Sequence, residues 1–306
     1  MQLEIRNLNK SYGQKQVLFD VNFTASSSNT LGLLGRNGHG KSTTMKIIMG
    51  IIYEDSGEVL LDGSPLSRTS VKLGYLPEER GLYQKINILD QMVYFGTLRG
   101  MAGPKAKKAA TDLLERLEMT EYLKKNAITL SKGNQQKIQL AIALMNDPDI
   151  IILDEPFSGL DPVNSRIMQE IIEEASRRSK LIIFSSHQMS QVEEFCRDIC
   201  IIKEGRVMLT GSLGNIKESY PKNRLSLVPE PGCREDLLSI ITNHLLVFIT
   251  SYTEENGAFI LHLKKEEFKN QIIQLLAEKS AKVNAISVVQ PTLLQIFLEK
   301  VGDDIV

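Results

Sequence analysis

The sequence contains no tryptophan, and its 306 residues include only three cysteines, Cys196, Cys200 and Cys233. No C-x-x-C pair occurs, and no histidine or aspartate cluster completes a metal site beside Cys196 and Cys200. Buried, reduced thiols are therefore favoured over a zinc site. So few cysteines argue against a disulfide-stapled secreted scaffold and are typical of a reducing cytoplasm.

Long apolar runs are also missing. No stretch approaches the roughly 18 consecutive apolar residues that a membrane-spanning helix requires. The N-terminal segment MQLEIRNLNK carries charges from its start and lacks the apolar centre of a signal peptide. If the protein works at a membrane, we expect another polypeptide to supply the spanning part.

Strong charge of either sign is absent, since 36 Lys and Arg residues face 37 Asp and Glu residues, for a formal net charge of -1. This balance gives no electrostatic reason to expect nucleic acid as a partner. The hydrophobic content of 42% suffices for a packed core, and the length allows one large or two ordinary domains.

The most informative stretch runs from residue 31 to 44 and reads LGLLGRNGHGKSTT. It fills the fixed places of the phosphate-binding pattern G-x-x-x-x-G-K-[ST], after an apolar strand pattern and before a helical one. Glycines let backbone N–H groups turn inward around a phosphate, Lys41 adds a positive charge, and the Ser42 hydroxyl suits Mg²⁺. A glycine-rich surface turn formed by chance is the alternative. The residues predicted to hold the nucleotide here are Gly35, Arg36, Asn37, Gly38, His39 (through its backbone N–H), Gly40, Lys41, Ser42 and Thr43.

A second stretch, IIILDEP at 150–156, ends a continuous apolar run with two carboxylates. Asp154 stands where P-loop proteins place the partner of the Mg²⁺ ion held by the serine. Glu155 follows at the mouth of the site, where it is expected to orient or deprotonate the water that attacks the γ-phosphate. The alternative is an ordinary acidic pair at the end of a strand.

The alternation of strand and helix patterns predicts an α/β fold with a parallel sheet. The runs at 149–153 and 181–184 are continuously apolar, as in strands buried on both faces. Segments 2–9 and 16–24 alternate and predict antiparallel strands around a turn at Tyr12–Gly13. Helical patterns cover 88–119 with a break near 100–104. The segment PKNRLSLVPEPG at 221–232 is interpreted as a linker to a small α/β region.

A third stretch, LSKGNQQK at 130–137, is by itself only a helix N-cap turn. Its position before the acidic strand, however, makes the chain resemble the ATP-binding subunit of an ABC transporter. The signature of that family reads LSGGQ; Leu130, Ser131 and Gly133 match it. Lys132 and Asn134 depart from it, although Asn134 keeps an amide.

The resemblance implies further site residues. Tyr12 stands where the family stacks an aromatic ring on adenine, and Asp161 closes a SGLD segment that passes between two subunits. His187 stands where the family places a histidine that contacts the γ-phosphate. Considered alone, Tyr12 also fits a core or turn tyrosine, and His187 a structural hydrogen-bonding residue. The implied roles are catalytic for Glu155, His187 and Lys41, magnesium-binding for Ser42, Glu78 and Asp154, and nucleotide-binding for Tyr12, Glu78, Ser131, Gly133, Asn134 and Asp161 in addition to the P-loop.

Glu78 is a departure, because the family usually has a glutamine at this place. A glutamate can ligate Mg²⁺ but cannot donate a hydrogen bond while ionised, and it adds negative charge near the γ-phosphate. With the C-terminal ending QPTL…IF at 290–297, this variant resembles ATP-binding subunits of drug, sodium and other ABC-2-type exporters.

The resemblance therefore implies a P-loop ABC cassette over residues 1–220, with a parallel core sheet, an antiparallel β subdomain and a helical subdomain at about 85–147. A small C-terminal α/β domain would occupy 221–306, in a regulatory, dimer-stabilising or purely structural role. The expected activity is ATP hydrolysis with Mg²⁺ in a head-to-tail dimer, formed with a second copy or a paralogous subunit. A separate transmembrane permease would carry out export and hold the protein on the inner face of the cell membrane, and no nucleic acid is expected.

Other classes fit less well. A translation-related ATPase of this superfamily carries two cassettes, whereas one P-loop is present. A DNA-repair or chromosome ATPase has long heptad helices, which are not visible. A GTPase needs a downstream N-K-x-D motif, and Asn9-Lys10 lies upstream without the aspartate. A regulatory, non-hydrolysing ATP site is disfavoured by the presence of Lys41, Asp154, Glu155 and His187.

Overall fold

A computed structural model describes residues 1–79 and 81–302 of the chain. Arg80, in the segment around Glu78, and residues 303–306, in the predicted C-terminal domain, lie outside the described residues. The strands are β1 (Gln2–Tyr12), β2 (Lys15–Ser26), β3 (Leu31–Leu34), β4 (Ser56–Leu61), β5 (Ser64–Pro65), β6 (Leu73–Leu76), β7 (Ile150–Asp154), β8 (Leu181–Ser185), β9 (Asp198–Lys203), β10 (Arg206–Ser212), β11 (Arg224–Pro229), β12 (Ile249–Glu255), β13 (Ala258–Leu263) and β14 (Val283–Val288). The α-helices are α1 (Lys41–Ile48), α2 (Ile88–Leu98), α3 (Gly103–Arg116), α4 (Lys132–Leu144), α5 (Pro162–Arg177), α6 (Met189–Phe195), α7 (Leu213–Ser219), α8 (Arg234–Ile240), α9 (Phe268–Glu278) and α10 (Leu293–Val301).

The central sheet has the strand order β10-β9-β3-β8-β7-β6. Strand β3 pairs in parallel with β8 and β9, and β7 pairs in parallel with β6 and β8. Every residue of β7 and β8 is buried, which explains the continuous apolar runs in the sequence. Because parallel strands end at the same edge of a sheet, the segments after β3, β7 and β8 meet there. The predicted parallel α/β core is confirmed.

An antiparallel sheet of order β2-β1-β4-β5 packs beside this core. Its buried apolar side chains, Leu3 and Leu18 among them, join one hydrophobic cluster with Met45 and Ile47 of α1. The cluster holds α1 between the two sheets, and α1 begins where the glycine-rich loop ends. The position of that loop is therefore fixed by core packing on both sides.

The helical subdomain contains α2 and α3, separated near the predicted break. Helix α2 begins at the N-cap Asn87, whose side chain accepts a hydrogen bond from Asp90 N–H. A Cβ added at Gly96 would lie 2.9 Å from Ala106 Cβ, so a glycine at this position allows the two helices to approach closely. Helix α4 begins after Ser131, whose side-chain oxygen caps it.

The chain divides into two compact units, one formed by residues 1–213 with 297–302 and the other by Gly214–Ile296. This division starts the second unit before the boundary predicted after Tyr220. The second unit contains an antiparallel sheet of order β12-β13-β11-β14. Its core includes side chains from β11, α8 and α9.

The interpretation of 221–232 as a linker is wrong, because this segment contains β11, an interior strand of the second sheet. Leu225 and Leu227 are 1% and 0% exposed and lie in the core of the unit. The proline that suggested a linker, Pro229, stands at the end of the strand, beside an irregularity in its pairing with β14. The alternation within RLSLV was the signal of a strand.

Candidate active site

The loop between β3 and α1 needs glycines for two different reasons. A Cβ at Gly35 would lie 2.4 Å from the carbonyl oxygen of Ile202, so the backbone passes too close for a side chain. Gly40, the N-cap of α1, has φ 106, and a Cβ there would lie 2.6 Å from Leu18 Cδ2. Gly38 has φ 79 with open space around it. The loop is thus an open cradle of backbone at the N-terminus of a helix.

Lys41 is the first residue of α1 and is 6% exposed. Its Nζ donates hydrogen bonds to the carbonyl oxygens of Gly35 at 2.7 Å and Arg36 at 3.2 Å. Burial lowers the pKa of Lys41, while the charges of Glu155 and two further carboxylates oppose this shift. The lysine therefore folds back across its own loop and places a desolvated ammonium group among carboxylates.

A cavity of about 290 Å³ lies beside the loop. It brings together the P-loop and the acidic strand end, and its walls are formed by Val17, Asn37, Gly38, Gly40, Lys41, Ser42, Thr43, Glu78, Asp154 and Glu155. The other predicted site residues are not among its lining residues: Tyr12, Gly35, Arg36, His39, Ser131, Gly133, Asn134, Asp161 and His187.

Arg36 and His39, which do not line the cavity, contribute to the loop through their backbone. His39 N–H donates to Arg36 O at 3.2 Å, and His39 O accepts from Gly205 N–H at 3.1 Å. Burial lowers the pKa of His39.

Tyr12, at the end of β1, is 50% exposed, and Lys10 Nζ lies 5.8 Å from the centre of its ring.

Asp154 and Ser185 end the neighbouring strands β7 and β8 and stand opposite each other in the sheet. The Ser185 hydroxyl donates to Asp154 Oδ1 at 2.6 Å and accepts from Glu155 N–H at 3.0 Å. All three residues are buried. The sequence analysis missed Ser185; its signal was the pair of serines that ends the apolar run LIIFSS.

Glu155 has an unusual backbone and a desolvated carboxylate. Its φ is 50, in the left-handed region, and its side chain is buried. Oε2 lies 2.8 Å from Nδ1 of His187, whose side chain is largely exposed. Burial raises the pKa of Glu155, while the charges of His187 and Lys41 lower it. One oxygen thus faces the histidine, and the environment favours a carboxylate that accepts protons more readily than an exposed glutamate.

The donor set fits Mg²⁺ bound together with a triphosphate. No group of three or more His, Cys, Asp or Glu side chains that could hold a metal occurs within residues 1–79 and 81–302. Mg²⁺ does not require one, since it keeps several waters and binds through one or two carboxylates and the phosphates of its substrate. Ser42, Glu78 and Asp154 line one cavity beside the loop and suit this mode of binding. Glu155 Oε1, buried without a hydrogen-bond partner among the described residues, offers a further acceptor.

The Ser131–Asn134 turn lies outside this cavity. The Ser131 side chain is exposed and accepts from Asn134 N–H at 3.2 Å, as an N-cap. Gly133 is buried against the segment around Leu160, to whose Cδ2 an added Cβ would lie 3.1 Å away. Asp161 caps α5 by accepting from Asn164 N–H at 2.9 Å, and this bond lowers the pKa of Asp161. Within one chain the two capped turns are neighbours, and they do not line this cavity.

Comparison with protein families gives two matches. The family described as "ABC transporter" matches residues 18–158, and the family described as "ATP-binding protein DrrA1-3-like, C-terminal domain" matches residues 211–301. No described helix is long and apolar enough to cross a membrane.

Relatives match along the whole chain. The ABC transporter ATP-binding protein YhaQ of Bacillus subtilis (strain 168) is 36% identical over 301 residues, which cover 98% of each chain. The linearmycin resistance ATP-binding protein LnrL of the same organism is 29% identical over 307 residues, again 98% of each chain.

Solved structures share the fold. The ATP-binding subunit of an ABC transporter is 28% identical, with a TM-score of 0.65 over 71% of this chain and 92% of that chain. A cassette solved as a dimer in a post-hydrolysis state with ADP and Pi is 24% identical, with a TM-score of 0.62 over 69% of this chain and 98% of that chain.

Proposed function

Because this chain belongs to the family of ABC transporter ATP-binding subunits, we propose that it hydrolyses ATP within a head-to-tail pair of such subunits and thereby drives export through a separate permease. The observation that carries the proposal is the juxtaposition of the P-loop, the acidic strand end of β7 and the Glu155–His187 pair at one sheet edge. Phosphoryl transfer depends mainly on positioning and charge neutralisation, and this edge provides both.

In the proposed site, the loop N–H groups and Lys41 bind the phosphates. Ser42, Asp154 and Glu78 would hold Mg²⁺, which when bound supplies positive charge to the phosphate oxygens. Glu155 accepts a hydrogen bond from the attacking water, and its burial favours its action as a general base. His187 holds one carboxylate oxygen of Glu155 and leaves the other, Oε1, for the water.

A second subunit would complete this site. Ser131 is exposed and does not line the cavity of its own chain, which favours a contribution at the nucleotide of another subunit. A dimeric arrangement with ADP and Pi is known for the similar solved cassette. The Ser131 hydroxyl and the N-terminus of α4 would add hydrogen-bond donors to the γ-phosphate and exclude bulk water from it. ATP would thus favour the closed pair, and loss of the γ-phosphate would release it.

The permease is proposed to contact an aromatic patch on the helical subdomain, formed by Tyr83, Tyr94 and Phe95. Tyr83 stacks on Phe95, with ring centres 5.8 Å apart, and contacts Tyr94 edge-on. The two tyrosines are 48% and 49% exposed, although large apolar surface is normally buried. The patch borders a cavity of about 190 Å³ that contains Phe95 and reaches the backbone segment following Glu78. A partner seated there would sense movement next to the nucleotide and would hold the protein at the inner face of the membrane.

Export is the proposed direction, because removal of a compound from the cell would account for a resistance such as that to linearmycin, for which LnrL is named. The cargo would be selected by the permease. The C-terminal unit, which matches a domain found in DrrA-like ATP-binding proteins, is proposed as an accessory domain of the cassette. Its role is regulatory, dimer-stabilising or structural, and truncation after Tyr220 followed by ATPase and dimerisation assays would separate these.

The decisive pair of assays uses the full chain, alone and with its co-purified permease. Wild type is expected to hydrolyse ATP in the presence of Mg²⁺. Glu155→Gln is expected to bind ATP, to lose turnover, and to elute as a dimer by size-exclusion chromatography with light scattering only when ATP is present. Glu79→Gln serves as the matched control and should remain active, because Glu79 does not line the cavity. Continued turnover by Glu155→Gln would refute the role given to Glu155.

A further inference from the structure

Two adjacent buried serines at the end of β8 have different hydrogen-bond partners. Ser185 Oγ donates to Asp154 Oδ1 at 2.6 Å and accepts from Glu155 N–H at 3.0 Å. Ser186 Oγ instead donates to Gln191 Oε1 at 3.3 Å and accepts from Gln188 N–H at 3.0 Å. Ser185 is 0% exposed and Ser186 is 2% exposed. The Ser185 hydroxyl therefore binds Asp154 at the end of β7 and the backbone of Glu155 directly after it, whereas the Ser186 hydroxyl binds the turn that begins α6.

We propose that Ser185 is a positioning residue for the magnesium–nucleotide complex, acting through Asp154 and Glu155 together. Its hydroxyl has one proton and accepts through its lone pairs, and the structure uses both functions. The donated hydrogen bond fixes the rotation of the Asp154 carboxylate, and the accepted one fixes the backbone of the next residue. The Ser185 side chain thus sets the orientation of the Asp154 carboxylate, which is suited to Mg²⁺. It also fixes the backbone at Glu155, where the chain turns away from β7.

The backbone of Glu155 shows why such a fixed point is needed. Its φ of 50 lies in the left-handed region, which is unfavourable for a residue other than glycine. In β7, Asp154 is still paired in register with Ser185, so the turn occurs immediately after the strand. The hydrogen bond from Glu155 N–H to Ser185 offsets part of this cost. On the other side, Glu155 O accepts from Ser158 N–H at 3.1 Å and from Gln136 Nε2 at 3.4 Å, so both backbone groups of Glu155 are hydrogen-bonded.

Hydrogen-bonded partners of metal-ligating carboxylates orient the ligands, and their loss typically costs about 10- to 100-fold in metal affinity or activity. The inference rests on the proposed function, since it assumes that the cavity binds Mg²⁺ with a nucleotide. A purely structural role for Ser185 predicts a different result: its loss would weaken all nucleotide binding equally, with or without metal.

The test measures metal coupling by binding alone. Calorimetry of the full chain with the non-hydrolysable analogue AMP-PNP gives its affinity in excess Mg²⁺ and in EDTA, and the ratio of the two is the magnesium coupling. For Ser185→Ala we expect this ratio to fall about tenfold, with the affinity in EDTA within twofold of wild type. Ser185→Cys keeps a side chain of similar size but only a weak donor, and it should lose the coupling as well. If Ser185→Ala fails to fold, Ser185→Cys provides the measurement instead.

Ser186→Ala is the matched control, since it removes a neighbouring buried hydroxyl whose partners are not carboxylates. Its magnesium coupling should stay within twofold of wild type. The proposal is overturned if Ser185→Ala and Ser185→Cys keep the wild-type ratio, or if their affinity falls equally with and without Mg²⁺. It is also overturned if the ratio falls equally in Ser186→Ala, or if the wild-type ratio is one. Failure of the wild type to bind AMP-PNP at all would instead overturn the proposed function.

Discussion

Nδ1 of His187 lies 2.8 Å from Oε2 of Glu155, while the second oxygen of the same carboxylate is buried without a hydrogen-bond partner among the described residues. The two residues follow different strands, β7 and β8, so the contact depends on the parallel pairing of those strands. An unpaired buried acceptor is costly and is retained where a ligand or a reacting water satisfies it. This asymmetry is the basis of the roles given to both residues.

His187→Ala should therefore impair turnover more than binding. Without the imidazole, the Glu155 side chain loses its orienting contact, and we expect kcat to fall by about 100-fold or more while nucleotide affinity changes only a few-fold. Steady-state ATPase assays and calorimetry measure the two effects. His244→Ala, at an exposed position of the C-terminal unit, is the control and should match wild type. A large loss of affinity with unchanged kcat would contradict the assignment.

The stability of the protein should depend on pH through Glu155. Burial raises its pKa in the folded state above the unfolded value, so the ionised carboxylate destabilises the fold at every pH above the folded-state pKa. Glu155→Gln removes this charge and should raise the free energy of unfolding at pH 8.

That gain should shrink as the pH falls through the folded-state pKa toward the ordinary glutamate range, because the wild-type carboxyl then becomes neutral as well. Urea unfolding of both proteins without nucleotide, at several pH values from 8 down to the ordinary glutamate range near pH 4, measures it. A gain that is constant over this range would show that burial of charge is not its cause.

Glu78→Gln should strengthen ATP binding. Glu78 lines the cavity together with Asp154 and Glu155, and a neutral amide removes one negative charge near the phosphates and restores a hydrogen-bond donor. Glu78 is exposed, so solvent screens its charge and we expect only a roughly threefold gain in affinity. Glu79→Gln makes the same change one residue away, outside the cavity lining. Equal gains in both variants would point to overall charge instead of a local effect.

Leu227→Ala tests the corrected assignment of residues 221–232. As a fully buried side chain of an interior strand, Leu227 should stabilise the C-terminal unit, and its truncation should cost about 2–5 kcal/mol of unfolding free energy. Val288→Ala, on the edge strand β14 and 37% exposed, should cost less than about 1 kcal/mol. If Leu227→Ala leaves thermal unfolding unchanged, the segment would not be a core strand and the linker interpretation would be correct.

The sequence was sufficient for the elements whose signal is local. The apolar runs of β7 and β8 predicted the core sheet, because a strand that is buried on both faces needs a continuous run of apolar residues. The glycine pattern before α1 predicted the loop, because a backbone that binds phosphate needs residues without side chains. The short helices α6 and α7 were not predicted, since seven residues each give little periodicity. Strand β11 was hidden by the proline and glycine that follow its alternating core.

The network around the site was harder to foresee than its motifs. Ser185 is separated from Asp154 by 31 residues, and only the pairing of β7 with β8 brings them together. Likewise, the sequence indicated that Glu155 follows a strand, but its left-handed backbone and its unpaired oxygen result from tertiary packing. Motifs identified the chemical groups, and the fold determined which oxygens remain available.

The central claim is that one ATP lies between the P-loop of one subunit and the Ser131 turn of another. A structure of Glu155→Gln with Mg²⁺ and ATP measures this directly, as the distance from Ser131 Oγ of one protomer to the γ-phosphate bound by the other. We predict a hydrogen bond from the Ser131 hydroxyl to a γ-phosphate oxygen, with an O···O distance of about 2.5–3.0 Å. A Ser131 turn that faces solvent in every assembly of the nucleotide-bound protein would contradict the account.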